Sequence, residues 1–176
     1  MKRKSSPLRR YVAFLRAINV GGHTVKMDRL RTLFESVGHA NVTTVIASGN
    51  VIFDSPVEDA PGLERQLEQK LAEVLGYAVD TFIRSTDEVV EIARYEPFAA
   101  PLDAGSHALN IAFLSSPPGK EAQRKLTTFR TRLDASTFMG VRCTGCDAPV
   151  LVNRSSPARS WKKRWACRQR CVMQTR

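Results

Sequence analysis

The chain has 176 residues, 43% of them hydrophobic and 25% charged, which fits an ordinary globular protein of one domain or two small ones. A formal net charge of +10 would point to nucleic acid, but the charge is unevenly spread. Residues 131–176 hold 10 Lys and Arg against 2 Asp and Glu, leaving 17 against 15, a net of +2, for residues 1–130. A body at +2 is no footprint for a polyanion, and no apolar run approaches the ~18 residues of a membrane span.

Met1–Arg10 is basic, but Arg16 and Asn19 interrupt the apolar stretch after it and no small-residue cleavage site follows. That is a poor signal peptide, so a cytoplasmic location is expected. Tyr11–Ile18 is short and rich in aliphatic and aromatic residues, the mark of a strand, and Gly21-Gly22 ends it. Met27, Leu30, Leu33, Phe34 and Val37 recur at helical spacing, with Gly38 as a stop. Val42–Ile46 reads as a second strand, Ser48-Gly49-Asn50 as a tight turn, and Val51–Phe53 as the return strand of a hairpin. Leu63, Leu67, Leu71, Val74 and Leu75 mark a second helix closed by Gly76, and Val79–Ile83 a fourth strand. The order β-α-β-β-α-β over residues 11–84 is the ferredoxin-like one.

The pattern then begins again. Thr86–Tyr95 is a linking helix with Ser85 or Thr86 as N-cap. Pro97, Pro101 and Gly105 form a loop. Ala108–Leu114 is a strand and Lys120–Phe129 a helix, the β-α of a second unit whose remaining strands the sequence does not clearly supply. The expected fold class is α+β, with three regions: a complete ferredoxin-like unit over 8–95, a truncated second unit over 96–131, and a disordered basic tail over 132–176.

The segment Tyr11-Val-Ala-Phe-Leu-Arg-Ala-Ile-Asn-Val-Gly-Gly-His23, the Met27–Phe34 helix and Ala47-Ser-Gly-Asn-Val-Ile-Phe53 resemble the domain of unknown function 1697 family. Gly76-Tyr77, Pro97-Phe98 and Ala112-Phe-Leu-Ser115 fit as well, so the resemblance covers residues ~10–130. It implies tandem ferredoxin-like units and no established activity. It also implies a continuation like His-Gly-Arg-Glu-Val-Tyr-Trp-Leu and then Leu-Glu-Lys-x-Leu-Gly. Thr137–Cys146 stands there instead. Read one nucleotide earlier, Phe138–Met139 gives His or Tyr and Met139–Gly140 gives Gly. Codons for Arg142 to Cys146 then permit Glu-Val-Tyr-Trp-Leu. Downstream, Trp161–Lys162 forces Glu and Trp165–Ala166 forces Gly, because Trp has one codon. A frame slip at residues 130–136 accounts for both segments with one shift.

Cys143-x-x-Cys146 with Cys167-x-x-x-Cys171 has the spacing of a structural zinc site. Shifted codons explain the same cysteines, so no metal is expected. No cofactor is called for either. Trp161-Lys-Lys-Arg-Trp165 would give a tail that touches nucleic acid non-specifically.

The candidate site lies in the body. Arg16, Asn19, Gly21, Gly22 and His23 end the first strand and form the loop after it. Two glycines can expose backbone N–H groups to an anion, and Arg16 or His23 can pair with it. The plainer reading is a chain reversal capped by Asn19. Ser48, Gly49 and Asn50 would lie beside this loop, with Arg84 joining from the fourth strand. A small anionic ligand is the expected partner. An enzyme of unknown reaction using the same loops, with no catalytic residue identifiable, and a nucleic-acid-binding module are the alternatives. The scattered His23, His39 and His107 form no metal site or catalytic dyad by sequence. Oligomeric state is not readable.

Overall fold

The computed structural model describes residues 7–16, 18–19, 22–45, 49–96, 108–114, 118–127, 135–143, 146–155 and 171–175. The chain divides into two compact units, Met1–Ala93 with Arg142–Cys146, and Arg94–Val141 with Asp147–Arg176.

In the first unit, β1 (Arg9–Leu15), β2 (Ala40–Val45), β3 (Asn50–Ser55) and β4 (Thr81–Ser85) form one antiparallel sheet in the order β2-β3-β1-β4. Helices α1 (Met27–Ser36) and α2 (Ala60–Leu75) connect its strands. Alternation along β1 sends Tyr11, Ala13 and Leu15 into the core. There they meet Leu30, Leu33 and Phe34 of α1 and Leu63, Leu67 and Leu71 of α2. The α2 leucines, at i, i+4 and i+8, form one stripe, and all three are fully buried. Each such burial contributes roughly 1.5–3 kcal/mol.

The helix stops are where the sequence places them. Gly76 closes α2 in the left-handed region at φ 81°, donating its N–H to Ala72 O. Gly38 follows α1 at φ 97°. Helix α3 (Thr86–Arg94) opens on a reciprocal cap: Glu88 N–H donates to Ser85 Oγ at 3.2 Å, and Ser85 N–H donates to Glu88 at 2.6 Å. Strand β2 carries an irregularity between Ala40 and Thr43, where Asn41 takes φ 51°. Asn41 and Arg10 both donate to Asp54, Arg10 through two nitrogens, and hold its carboxyl below the usual range.

Strand β4 is an outer strand, and its outward N–H groups would be open to a passing strand. Each is taken by a carboxylate. Thr81 N–H donates to Glu68 at 2.9 Å and Ile83 N–H to Glu64 at 2.8 Å, while Ser85 N–H serves the α3 cap. The match is geometric. Four helical residues rise about 6 Å, close to the ~6.6 Å of two strand residues, so Glu64 and Glu68 keep step with Ile83 and Thr81.

In the second unit, β5 (Ala108–Phe113), β6 (Ala135–Cys143), β7 (Cys146–Ser155) and β8 (Cys171–Thr175) form a sheet in the order β6-β7-β5-β8, and α4 spans Lys120–Thr127. This differs from the expectation for residues 132–176. Strands occupy Ala135–Cys143, Cys146–Ser155 and Cys171–Thr175 in place of a disordered tail, and the unit is not cut short after its helix. Strand β5 is central, not an open edge: Ile111 pairs with Val152 on one side and Met173 on the other. Local propensity explains the difference. Phe138, Val141, Val150, Val152 and Val172 are strand formers whatever family segment they replace.

Candidate functional site

Strand direction decides which loops meet. Because β1 runs antiparallel to both neighbours, Phe14 pairs with Asn50 and Leu15 with Thr81. The loop after β1, the β2–β3 turn and the approach to β4 therefore share one end of the sheet. The first two are in contact. A side chain at Gly49, which sits at φ 85°, would overlap Ile18 Cγ2. Only glycine lets the turn close onto the loop here. Asn50 opens β3 and is half-buried.

Three contacts hold the described residues after β1. Val25 N–H donates to Asn19 Oδ1 at 2.7 Å, closing six residues on themselves. Tyr77 Oη donates to Ile18 O at 2.9 Å. His23 stacks on the Tyr77 ring, centroids 3.9 Å apart and planes 23° from parallel. His23 is nonetheless exposed. Gly22 has φ 90°, and nothing lies within 4 Å of where its Cβ would be, so its backbone is approachable. Lys26 follows and starts α1 without a side-chain cap.

Arg16 is tied to the approach to β4. Its N–H donates to Asp80 O at 2.9 Å, and its Nη1 meets Asp80 Oδ2 at 2.7 Å. The side chain is 27% exposed, so the guanidinium is braced at the rim with part of its charge offset.

Of the residues singled out from sequence, Arg16, Asn19, Gly22, His23, Gly49 and Asn50 come together at this end. Gly21 and Ser48 lie outside the described residues. Arg84 does not join them. It pairs with Val12, three residue pairs from Leu15, so it stands toward the opposite end of β1. The expectation assumed that the end of β4 meets the end of β1. The antiparallel register brings the start of β4 there instead. Arg84 is buried, with Nη1 on Glu64 Oε1 at 3.3 Å and on Ile83 O. Burial pushes the Glu64 carboxyl up, against the opposing pull of the Ile83 N–H and Arg84.

Tyr77 and Asp80 were not anticipated. An aromatic just past the glycine stop of α2 was the available signal for Tyr77. Asp80 carries none, because only the pairing of β4 with β1 brings it to Arg16.

The other candidates fall elsewhere. His39 is 8% exposed and packs at the core with Phe53 (4.5 Å) and Phe34 (6.1 Å). Among the described residues its Nε2 has no hydrogen-bond partner, and burial lowers its pKa. His107, Cys167, Trp161 and Trp165 lie outside the described residues. Cys143 ends β6, and Cys146 and Cys171 begin β7 and β8. Among the described residues no three His, Cys, Asp or Glu side chains are grouped to hold a metal ion, and no helix is long and apolar enough to cross a membrane.

The family model described as "Protein of unknown function (DUF1697)" matches residues 8–142. Among solved structures, the conserved bacterial protein SP0830 from Streptococcus pneumoniae is similar, with a TM-score of 0.64 and 18% identity over 96% of this chain and 93% of that one. At that identity the likeness is one of fold alone. No curated protein matches.

Proposed function

We propose a ligand-binding function for this chain, which belongs to the DUF1697 family of proteins of unknown function. The ligand is small and anionic, and it binds at the end of the first sheet where the loop after β1 meets the β2–β3 turn. The observation that carries this reading is the contact of Gly49 with Ile18, which brings two polar loops to one place. The Asn19–Val25 and Tyr77–Ile18 hydrogen bonds hold Ile18, Asn19 and Val25 in place. Groups held in place beforehand spare a ligand part of the ordering cost of binding. Gly22 offers approachable backbone, and His23 and Lys26 are exposed on either side of Thr24.

We read both units as ferredoxin-like. The repeated sheet order, β2-β3-β1-β4 and β6-β7-β5-β8, supports that reading. The fold by itself assigns no function. Base stacking on the first sheet is disfavoured, since Phe14 and Phe82, paired across β1 and β4, are 3% and 5% exposed.

A thermal-shift series with phosphate, pyrophosphate, sulfate and small dicarboxylates tests the reading. At a hundred times Kd a ligand stabilises by about 2.7 kcal/mol, which moves the melting temperature measurably. At least one anion should raise it in the wild type and lose most of its effect in Arg16→Ala. If no anion does so in the wild type, the reading fails.

A further inference from the structure

We infer that the ligand is a free mononucleotide whose base stacks on His23 as the third ring of a column begun by Tyr77. The inference rests on the anion-binding reading and names the class of anion. His23 is exposed, yet one face of its ring is covered by Tyr77 at 3.9 Å and 23°. With one face covered, the opposite face is the one left to meet a ligand. That face is a flat platform of the kind on which a base stacks.

The platform is rigid. Tyr77 cannot swing away without breaking its hydrogen bond to Ile18 O, and Ile18 is in turn pinned by the turn at Gly49. A simple inorganic anion has no use for such a surface. A phosphate joined through a sugar to a planar heteroaromatic ring uses both parts of the site. Its ring meets His23, and its phosphate meets the open Gly22 backbone and the exposed Lys26 beside it in sequence. A single platform ring suits one base rather than a run of them.

Calorimetric titration of the full chain with the four 5′-mononucleotides, ribose 5-phosphate, inorganic phosphate and a short single-stranded oligonucleotide separates the possibilities. At least one mononucleotide should bind about tenfold tighter than ribose 5-phosphate, the ratio that a stacking gain of about 1.4 kcal/mol gives. His23→Ala should bring the mononucleotide down to the ribose 5-phosphate level and leave ribose 5-phosphate unchanged. His23→Phe should keep the preference, which a merely structural role for the imidazole nitrogens would not. Equal binding of mononucleotide and ribose 5-phosphate, or no change in His23→Ala, overturns this inference and leaves the anion site standing. Binding of none of the phosphate compounds removes both. An oligonucleotide that binds far more tightly than any mononucleotide, with a steep salt dependence, overturns it in favour of a single-stranded polymer.

Discussion

The two sheets share one strand order and differ in what their connections supply. In the first, α2 joins β3 to β4 and provides Glu64 and Glu68 for the outward N–H groups of that outer strand. In the second, residues 156–170 join β7 to β8 at the same place in the order, and they contain no Asp or Glu. Six of the fifteen are Lys or Arg. No carboxylate from that connection can serve β8. The same topology can thus be drawn by strand-forming residues alone, while the devices that secure an outer strand need particular side chains on the neighbouring segment. Read one nucleotide earlier, the same connection would carry a Glu across Trp161–Lys162.

The largest expected effect concerns the secured edge. Glu64→Ala removes the acceptor of Ile83 N–H and the partner of Arg84, whose side chain is only 4% exposed. Removing one partner of a buried ion pair costs up to about 3–5 kcal/mol. Urea unfolding should show most of that loss. Glu68→Ala, which frees one neutral donor, should cost about 1–3 kcal/mol. If the two variants are equally mild, the Arg84 pair carries no weight and the edge is held by backbone pairing alone.

The second sheet should answer to its reading frame. The coding sequence, read one nucleotide earlier from Thr137, should give Glu-Val-Tyr-Trp-Leu across Arg142 to Cys146. A stop codon there, or unrelated residues, would end the frameshift explanation. A version with the frame restored should be more soluble and melt higher, by about 2–4 °C for each kcal/mol gained in a chain of this size. Trypsin should cut the present chain within 156–170 before it touches residues 10–84. Metal analysis of the purified protein should find no stoichiometric zinc, because the cysteines are then a product of the shift.

Within the first unit most elements were legible, because their signals are local. The α2 stripe, the Gly76 and Gly38 stops and the Ser85 cap are each written within a few residues. Strand limits moved by one to three residues where pairing decides them: β4 begins at Thr81, not Val79. What could not be read depends on register across the sheet. Sequence order placed Arg84 beside the loop after β1, and the antiparallel pairing took it away and brought Asp80. The Gly49–Ile18 contact and the His23–Tyr77 stack are likewise long-range. In the second unit an overall basic composition was read as disorder, although Val150-Leu-Val152 alone carries a strand signal.

His39 gives a smaller effect that separates core from edge by pH. Burial lowers its folded pKa below the ordinary value of 6.5, so the unfolded chain binds the proton more tightly. Stability is full above 6.5 and falls as pH drops from there toward the folded pKa. His39→Leu should flatten that part of the stability curve while leaving the loss at lower pH, where Asp54 gives up its bonds to Arg10 and Asn41. Unfolding midpoints measured from pH 7 down to about 2 check it. A wild-type curve flat from 7 to 5 would show that the imidazole is not held neutral.

The smallest effect is also the one that decides what the loop end is for. Arg16 meets Asp80 at the rim, where the two side chains are 27% and 55% exposed. Such pairs contribute roughly 0.2–1 kcal/mol. The Arg16 backbone bond to Asp80 O survives Arg16→Ala. Arg16→Ala should therefore unfold within about 1 kcal/mol of wild type, whereas Asn19→Ala, which frees Val25 N–H, should cost somewhat more. Loss of the Arg16 guanidinium should show in binding before it shows in folding. If Arg16→Ala instead loses several kcal/mol, the residue is a structural brace for the approach to β4, and the anion site loses its strongest cation.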